Sequence, residues 1–250
     1  MKAYTYRAII SSDWNQCLAP CGPFDPIIYN YPDVASDLIT IFEAYTGNII
    51  SLGTANRKIK KLLPKPISIQ QMDRYLDNSF ITYKGVPDLI DWCLKHNILF
   101  MINTTGFVGY FQRIFAKHLL PKIPVISANP MIRHPFLETD PSYLLELDEI
   151  QDKGKNTETA MEYFGFSGKK VVIIGDSGGD GPHFKWGAEH TAYLIGSMAK
   201  PSLTNYCNQK KIKINLFFGS VYAKGEKRNA ENEMNVDFME LSSVFQKIFA

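Results

Sequence analysis

Cysteine is scarce in this chain, and so is charge of one sign. The four cysteines among 250 residues, Cys17, Cys21, Cys93 and Cys207, form no CxxC pair. That pattern argues against a disulfide framework and reads as free thiols in a reducing, cytosolic compartment. A zinc site built on Cys17 and Cys21 is the disfavoured alternative. The formal net charge is only +2, so nothing demands nucleic acid or an anionic membrane as partner. Long apolar runs are missing as well: stretches such as ILFMI at 98–102 are far too short to span a bilayer. The opening MKAYTYRAIISSDW has no long apolar core followed by a small-residue cleavage site, and no internal repeat is found. What remains is a globular composition, 45% hydrophobic and 21% charged, long enough for one large domain or a core with a smaller insert.

The most informative stretch is Val171 to Gly181, VVIIGDSGGDG. Four β-branched residues in a row mark a central strand of a parallel sheet, covered on both faces. The strand runs into a glycine turn carrying Asp176 and Asp180. Open α/β sheets bind ligands at the carboxyl ends of their strands, so these acids are candidate ligands for a hard cation such as Mg²⁺. GDSGG also resembles the nucleophile loop of trypsin-like proteases, with Ser177 as nucleophile. That loop belongs to an all-β chain, whereas the neighbourhood here is strand, loop and helix. A plain Gly/Asp turn is the unspectacular alternative.

Along the chain, Tyr4 to Ser12 reads as a second strand, ending at Asp13, Trp14, Asn15 and Gln16. Residues 17–31 are rich in Pro, Gly and aromatics and read as a connecting loop. Helical spacing follows in residues 33–45, stopped by Gly47 and Asn48, and again in 54–63 and 68–78. Residues 20–82 therefore read as a small helical insert, with 1–19 and 83–250 as the core. The insert's Arg57, Lys58, Lys60, Lys61 and Lys65 are expected on a solvated helix face, the alternative being a cation that faces the acidic site. A helix over 88–95, a strand ILFMIN ending in Thr104 and Thr105, a helix over 107–118 and a strand over 124–127 resume the α/β alternation. Residues 129–150 have no secure assignment. Lys153 and Lys155 precede a helix at 156–164. Beyond Asp180 the pattern gives a strand at TAYLIG, a helix over 202–210 and an apolar segment at 212–218. It then gives a polar surface loop over 225–235 and a closing helix within 236–249. The expected fold is an α/β, Rossmann-like, doubly wound parallel sheet with a small helical cap.

Three strands thus end in Asp13, Thr104 and the Asp176/Asp180 pair, with Lys153 just before the last helix and strand. A carboxylate can act as nucleophile, a hydroxyl and an ammonium can hold phosphoryl oxygens, and two further acids can hold a metal. The arrangement resembles the haloacid dehalogenase superfamily, in particular its phosphoserine-phosphatase-like group with a helical cap. Asp13 stands at the first aspartate of that family's DxDxT motif, Thr104 at its strand-end Ser/Thr, and Lys153 at its lysine, with Thr105 and Lys155 as fallbacks. Gly175, Asp176 and Asp180 match GDxxxD. The resemblance implies a Mg²⁺-dependent phosphohydrolase acting on a small phosphorylated metabolite. Asp13 would form an aspartyl-phosphate, and Mg²⁺ would be held by Asp13, the backbone carbonyl of Asn15 and Asp176. Asp180 would orient the metal or fix Lys153, Thr104 would bind a phosphoryl oxygen, and Lys153 would offset charge beside Asp13.

The chain departs from that pattern at two positions. Asn15 stands where the family has its second aspartate, and Cys17 stands at the Thr position. The second aspartate protonates the leaving alcohol and then deprotonates water, which an amide cannot do; general acid–base catalysis is typically worth ~10²–10⁴ in rate. The departure leaves two other readings: a non-catalytic or weakly active phospholigand-binding protein, and a carbon–phosphorus hydrolase using a cap lysine, Lys58, Lys60 or Lys61. Trp14 blocking the site would favour the first.

Overall fold

The computed structural model describes residues 6–46, 49–165 and 170–249, with the side chain of Thr46 also left aside. The sheet grows outward from β1 (Ala8–Ser12), every residue of which is buried. Its parallel neighbours are β2 (Ile98–Phe107) and β5 (Val171–Gly175). β3 (Val125–Asn129) and β4 (Tyr143–Glu146) extend one side, β6 (Tyr193–Ala199) and β7 (Leu216–Val221) the other. The order is β4-β3-β2-β1-β5-β6-β7, and all pairs are parallel. Winding reverses at β1, so the crevice of this doubly wound sheet lies at the carboxyl ends of β1 and β5.

Alternation along the central strands explains their unbroken hydrophobicity. Ile10, Phe100, Ile102, Val172 and Ile174 enter one core, whereas Ile9, Leu99, Met101, Val171 and Ile173 enter the other. The first core is closed by α5 (Val86–Lys95), α6 (Val108–Ala116) and α11 (Glu240–Phe249) through residues such as Leu89, Phe111 and Phe245. The second is closed by α7 (Asp152–Tyr163), α8 (Gly181–Glu189) and α9 (Pro201–Gln209) through Ala160, Phe184 and Leu203. Gly154 permits close approach of α7 and α8, since a Cβ there would stand 2.6 Å from Trp186.

Between β1 and α5 the chain forms α1 (Asp25–Asn30), α2 (Ala35–Thr46), α3 (Leu52–Leu62) and α4 (Ile69–Ser79). The two later helices are capped from sequence: Ser51 accepts from the Thr54 amide, and Ser68 with Gln71 forms a reciprocal capping box. The apolar faces of α2, α3 and α4 join the first core through Leu38, Ile59, Met72 and Leu76.

Several expectations need correcting. Residues 17–31 are not all loop, because α1 forms there with Pro26 in its first turn, where a missing N–H costs nothing. The irregular stretch 129–150 contains β4, an edge strand too short and half-exposed to stand out. Helix α7 begins at Asp152, so both Lys153 and Lys155 lie on it. The 225–235 stretch is not simply surface loop: α10 (Ala230–Met234) forms in it and buries Glu233. β1 begins at Ala8, leaving Tyr6 and Arg7 outside it, while Tyr4 and the proposed stop at Gly47 and Asn48 fall outside the described residues.

Candidate active site

Residues leaving the ends of β1, β2 and β5 meet over the crevice. Immediately after β1, Asp13 is fixed by its amide, which donates to Ile174 O of β5 at 2.9 Å. Past Asp13 the chain turns sharply, with Gln16 at φ 59° and the amides of Cys17, Leu18 and Ala19 converging on Trp14 O. Trp14 points away from the crevice into the first core and meets Phe111 edge-on, so it does not block the site. After β5, Asp180 folds back so that its Oδ2 accepts from the amides of Asp176 (2.9 Å) and Ser177 (3.2 Å). This return is why glycine precedes the first acid: a Cβ at Gly175 would come within 2.6 Å of the Asp180 carboxyl carbon.

Lys153 joins the two acids. Its ammonium donates to Asp13 Oδ1 at 2.9 Å and to Asp180 Oδ1 at 2.6 Å, and the side chain is 2% exposed. Beneath it a buried polar network pins the first turn of α7. Asn103 Nδ2 donates to Lys153 O (2.8 Å), as does the Thr157 hydroxyl (2.9 Å), and Thr157 also contacts Ser11 and His183. His183 is held neutral by burial and by the nearby Lys153 charge, its pKa lowered to about 3.

Asn15 and Thr104 also come together. The Thr104 hydroxyl donates to Asn15 Oδ1 at 3.1 Å and accepts from the Gly106 amide at 3.2 Å. Asn15 Nδ2 points to Cys21, 3.4 Å from its carbonyl oxygen and 3.6 Å from its sulfur. Cys17 lies buried under Ser12. The four cysteines are free thiols, and both Cys17 and Cys21 are pushed up by burial. Among the described residues, candidate metal ligands gather only in Asp13, Asp176 and Asp180, whose ligand atoms lie within 4.8 Å of one another.

Two cations that sequence reasoning missed complete the site. The Lys200 ammonium, just beyond β6, stands 2.6 Å from Asp176 Oδ2, and the Arg228 guanidinium stands 3.6 Å from it. Lys200 thus pairs with that buried oxygen, and Arg228 reinforces the pairing from farther off. Lys200 also donates to Gln16 Oε1 at 2.5 Å. Arg228 is locked in place by two 2.8 Å bonds to Glu233, by Gln16 O at 3.0 Å and by the Tyr83 hydroxyl at 2.9 Å. Glu233 in turn accepts from Tyr83 (2.6 Å) and Tyr222 (2.5 Å). No motif announces either cation; the only signal is the position of Lys200 at a strand's carboxyl end.

The electrostatics separate the three acids. Burial pushes Asp13 up to about 7, with Lys153 pulling it back and the Asp180 and Asp176 charges adding to the rise. Asp176 is raised by burial against the opposing charge of Lys200. Asp180 is pushed up by burial too, but the Lys153 cation and the two backbone donors outweigh this and hold it below the usual carboxylate range. Lys153 stays charged despite its burial, because Asp13 and Asp180 raise it.

A divalent cation fits this donor set. Three buried carboxylates whose oxygens lie within 4.8 Å of one another are the hard donors that Mg²⁺ takes. Both Asp180 oxygens are engaged, Oδ1 by Lys153 and Oδ2 by the amides of Asp176 and Ser177.

No family model matches the sequence, and no curated protein matches it. Solved structures do. A phosphoserine phosphatase determined as a phospho-aspartyl intermediate analogue superposes with a TM-score of 0.64 over 96% of this chain and 99% of its own, at 16% identity. A substrate-bound phosphoserine phosphatase gives 0.64 over 95% and 97%, also at 16% identity. A HAD family hydrolase from Salmonella enterica subsp. enterica serovar Typhi gives 0.62 over 85% and 67%, at 14% identity. The chain therefore has the fold of the phosphoserine-phosphatase-like haloacid dehalogenase hydrolases.

Proposed function

We propose that the protein is a Mg²⁺-dependent phosphohydrolase that acts on a small phosphorylated metabolite through an aspartyl-phosphate at Asp13. The observation that carries this reading is the Lys153 ammonium bridging Asp13 and Asp180, 2.9 and 2.6 Å away, with Asp176 in the same cluster. Asp13 Oδ2, unengaged by Lys153, attacks phosphorus. The electron pair of the breaking P–O bond passes to the leaving oxygen, and water then releases phosphate from Asp13. Lys153 offsets the charge that Asp13 and the phosphoryl group bring together, and the hydroxyl and amides at the end of β2 hold phosphoryl oxygens. Bound by Asp13, Asp176 and the Asn15 carbonyl, Mg²⁺ would neutralise phosphoryl charge.

Helices α1–α4 act as the cap in this reading. A cavity of about 150 Å³ lies between Gln16 and the cap residues Phe24, Leu38 and Phe42. The phosphonatase alternative needs a cap lysine at Asp13, yet Lys58, Lys60 and Lys61 are exposed on α3. The buried free thiols favour a cytosolic setting, and we assign neither nucleic acid nor membrane as partner.

The test is hydrolysis of p-nitrophenyl phosphate with and without Mg²⁺, with Asp13→Asn as control. Its aryl leaving group needs little protonation, so the missing aspartate at position 15 matters least there. Metal-dependent turnover and an acid-stable, hydroxylamine-labile phosphoenzyme are expected, both lost in Asp13→Asn with the fold intact. Full activity in the variant refutes Asp13 as nucleophile, and silence of the unmodified chain transfers the assignment to phospholigand binding.

A further inference from the structure

Resting on the phosphohydrolase reading, we propose that the Asp25 carboxyl, at the start of cap helix α1, supplies the leaving-group proton that Asn15 cannot supply. The cavity between Gln16 and the cap places it. Asp25 lines that space together with Gln16, Gly22, Leu38 and Phe42, and among the described residues it is the only acid that does so. Gln16 ties the same space to the acid cluster. Its Oε1 accepts from Lys200 at 2.5 Å and from Arg228 at 3.2 Å, the two cations that pair with Asp176. A nucleophile attacking in line drives the leaving oxygen out on the side of phosphorus away from Asp13, toward the cap. An acid that serves that oxygen belongs on the cap wall, not beside Asp13.

The loop that carries Asp25 is held at both ends. Asn15 Nδ2 donates to the Cys21 carbonyl at 3.4 Å, so the amide that cannot act as an acid clasps the segment bearing one. Phe24 stacks on Phe107 at the end of β2, with centroids 6.1 Å apart, and meets Phe42 edge-on at 5.7 Å. Between these anchors a tight turn sets the carboxyl: the Gly22 amide donates to Asp25 Oδ2 at 2.7 Å. Oδ1 has no hydrogen-bond partner among the described residues. It stands 2.8 Å from where a Cβ would lie on Gly22, so any larger residue there would crowd it. Asp25 and Ile28 also line a second cavity, of about 400 Å³, and the carboxyl thus stands where two open spaces adjoin. The neighbouring Cys21 thiol is already taken between Asn15 and Tyr110.

The chemistry balances. As Asp13 Oδ2 bonds to phosphorus, the P–O bond breaks, and the leaving oxygen takes both its electron pair and the Asp25 proton. The Asp25 carboxylate then takes a proton from the water that attacks the aspartyl-phosphate, which restores the acid and releases phosphate. Burial holds Asp25 above its ordinary range, against the pull of the Gly22 amide, and so enlarges the protonated fraction. An alkoxide is a far stronger base than a carboxylate and accepts that proton downhill. A nitrophenolate departs as the anion and has little need of it.

The test is Asp25→Asn, which keeps an oxygen for the Gly22 amide and removes the acid. With Mg²⁺ present, it should lose about 100-fold in kcat/KM on ethyl phosphate and less than about threefold on p-nitrophenyl phosphate. The ethyl group carries no further polar atom, so a carboxylate that only bound substrate would have nothing to hold and its removal would cost nothing there. Across a series of substituted phenyl phosphates, rates should depend more steeply on leaving-group pKa in Asp25→Asn. Equal losses on both esters, or none on either, overturn the proposal, and so does an unchanged dependence on leaving-group pKa. Should Asp25→Asn melt early, Asp25→Ser still offers Gly22 an oxygen without an acid, and the same readouts apply to it. Hydrolysis of the aryl ester alone by the unmodified chain would likewise overturn the assignment. Failure of the underlying reading looks different: the unmodified chain would then turn over neither ester, or Asp13→Asn would retain activity.

Discussion

Replacing Lys153 by methionine tests the electrostatic core of the site. The substitution keeps most of the buried volume but removes the one ammonium that bonds to both Asp13 and Asp180. Two carboxylates within 4.8 Å of each other repel by about 3.5 kcal/mol at an effective dielectric of about 20. Breaking a buried ion pair by removing one partner costs about 3–5 kcal/mol, which agrees with that figure. At 2–4 °C per kcal/mol for a chain of this size, Lys153→Met should melt about 6–20 °C below the unmodified protein at pH 8 without added metal.

The pH dependence carries the sharper test. In the intact protein Asp13 sits near 7, above its ordinary value of 3.8, so the folded state holds a proton there that the unfolded chain does not. The stability this contributes is full below about 4 and disappears as pH rises through 7. Without Lys153, which pulls Asp13 down, the folded pKa rises further, so Lys153→Met should go on losing stability from pH 7 to 9. The slope approaches about 1.4 kcal/mol per pH unit, or about 3–6 °C, while the intact protein levels off. His183 titrates at lower pH in both states and stays silent in this window. Thermal melts followed by circular dichroism at pH 7, 8 and 9 suffice. A difference below about 3 °C at pH 8, or parallel curves across the window, refutes the account of Lys153 as the counter-charge of the cluster.

Two more substitutions probe the parts that no motif marks. Arg228→Met leaves Glu233, 2% exposed at its side chain, with two tyrosine hydroxyls but no cation, and should lower the melting temperature by about 6–12 °C, the effect of roughly 3 kcal/mol. Adding Glu233→Gln should recover at least half of that loss, and no recovery would mean that packing, not charge, makes Arg228 matter. Asn15→Asp restores a carboxyl that Thr104 can still donate to. It should raise turnover of alkyl phosphates at least tenfold, with kcat/KM on β-glycerophosphate as the readout. No gain would place a further obstacle in the cap or at Cys17.

What could be read from the sequence is what one strand and its turn carry together. VVIIG declares a strand buried on both faces, and the acids of the following turn are covalently tied to its carboxyl end, so Asp176 and Asp180 followed from local pattern alone. Asp13 and Thr104 were legible for the same reason, each standing at the end of an apolar run. Lys153 needed the family spacing, because on a helix nothing local says that its side chain points inward. Edge strand β4 was illegible because its residues are half-exposed and lack the apolar run of a central strand. Helix α1 was hidden by Pro26 and the prolines flanking it, which read as loop although Pro26 occupies a first-turn position.

The charges near the carboxyl terminus fail in a more instructive way. Arg228 and Glu233 look in sequence like any two solvated charges of a polar stretch, and a pair that neutralises itself inside the protein leaves the same composition as one outside. Only the fold distinguishes them: β7 returns the chain to the crevice end of the sheet, and the segment after it lays Arg228 across Gln16 toward Asp176. The same topology delivers Lys200. The site thus has two layers with different origins. The acids come from strand ends that bury themselves, and the cations that hold those acids in register come from segments whose positions are fixed only when the whole sheet is assembled. A reading built on local pattern recovers the first layer and leaves out the second.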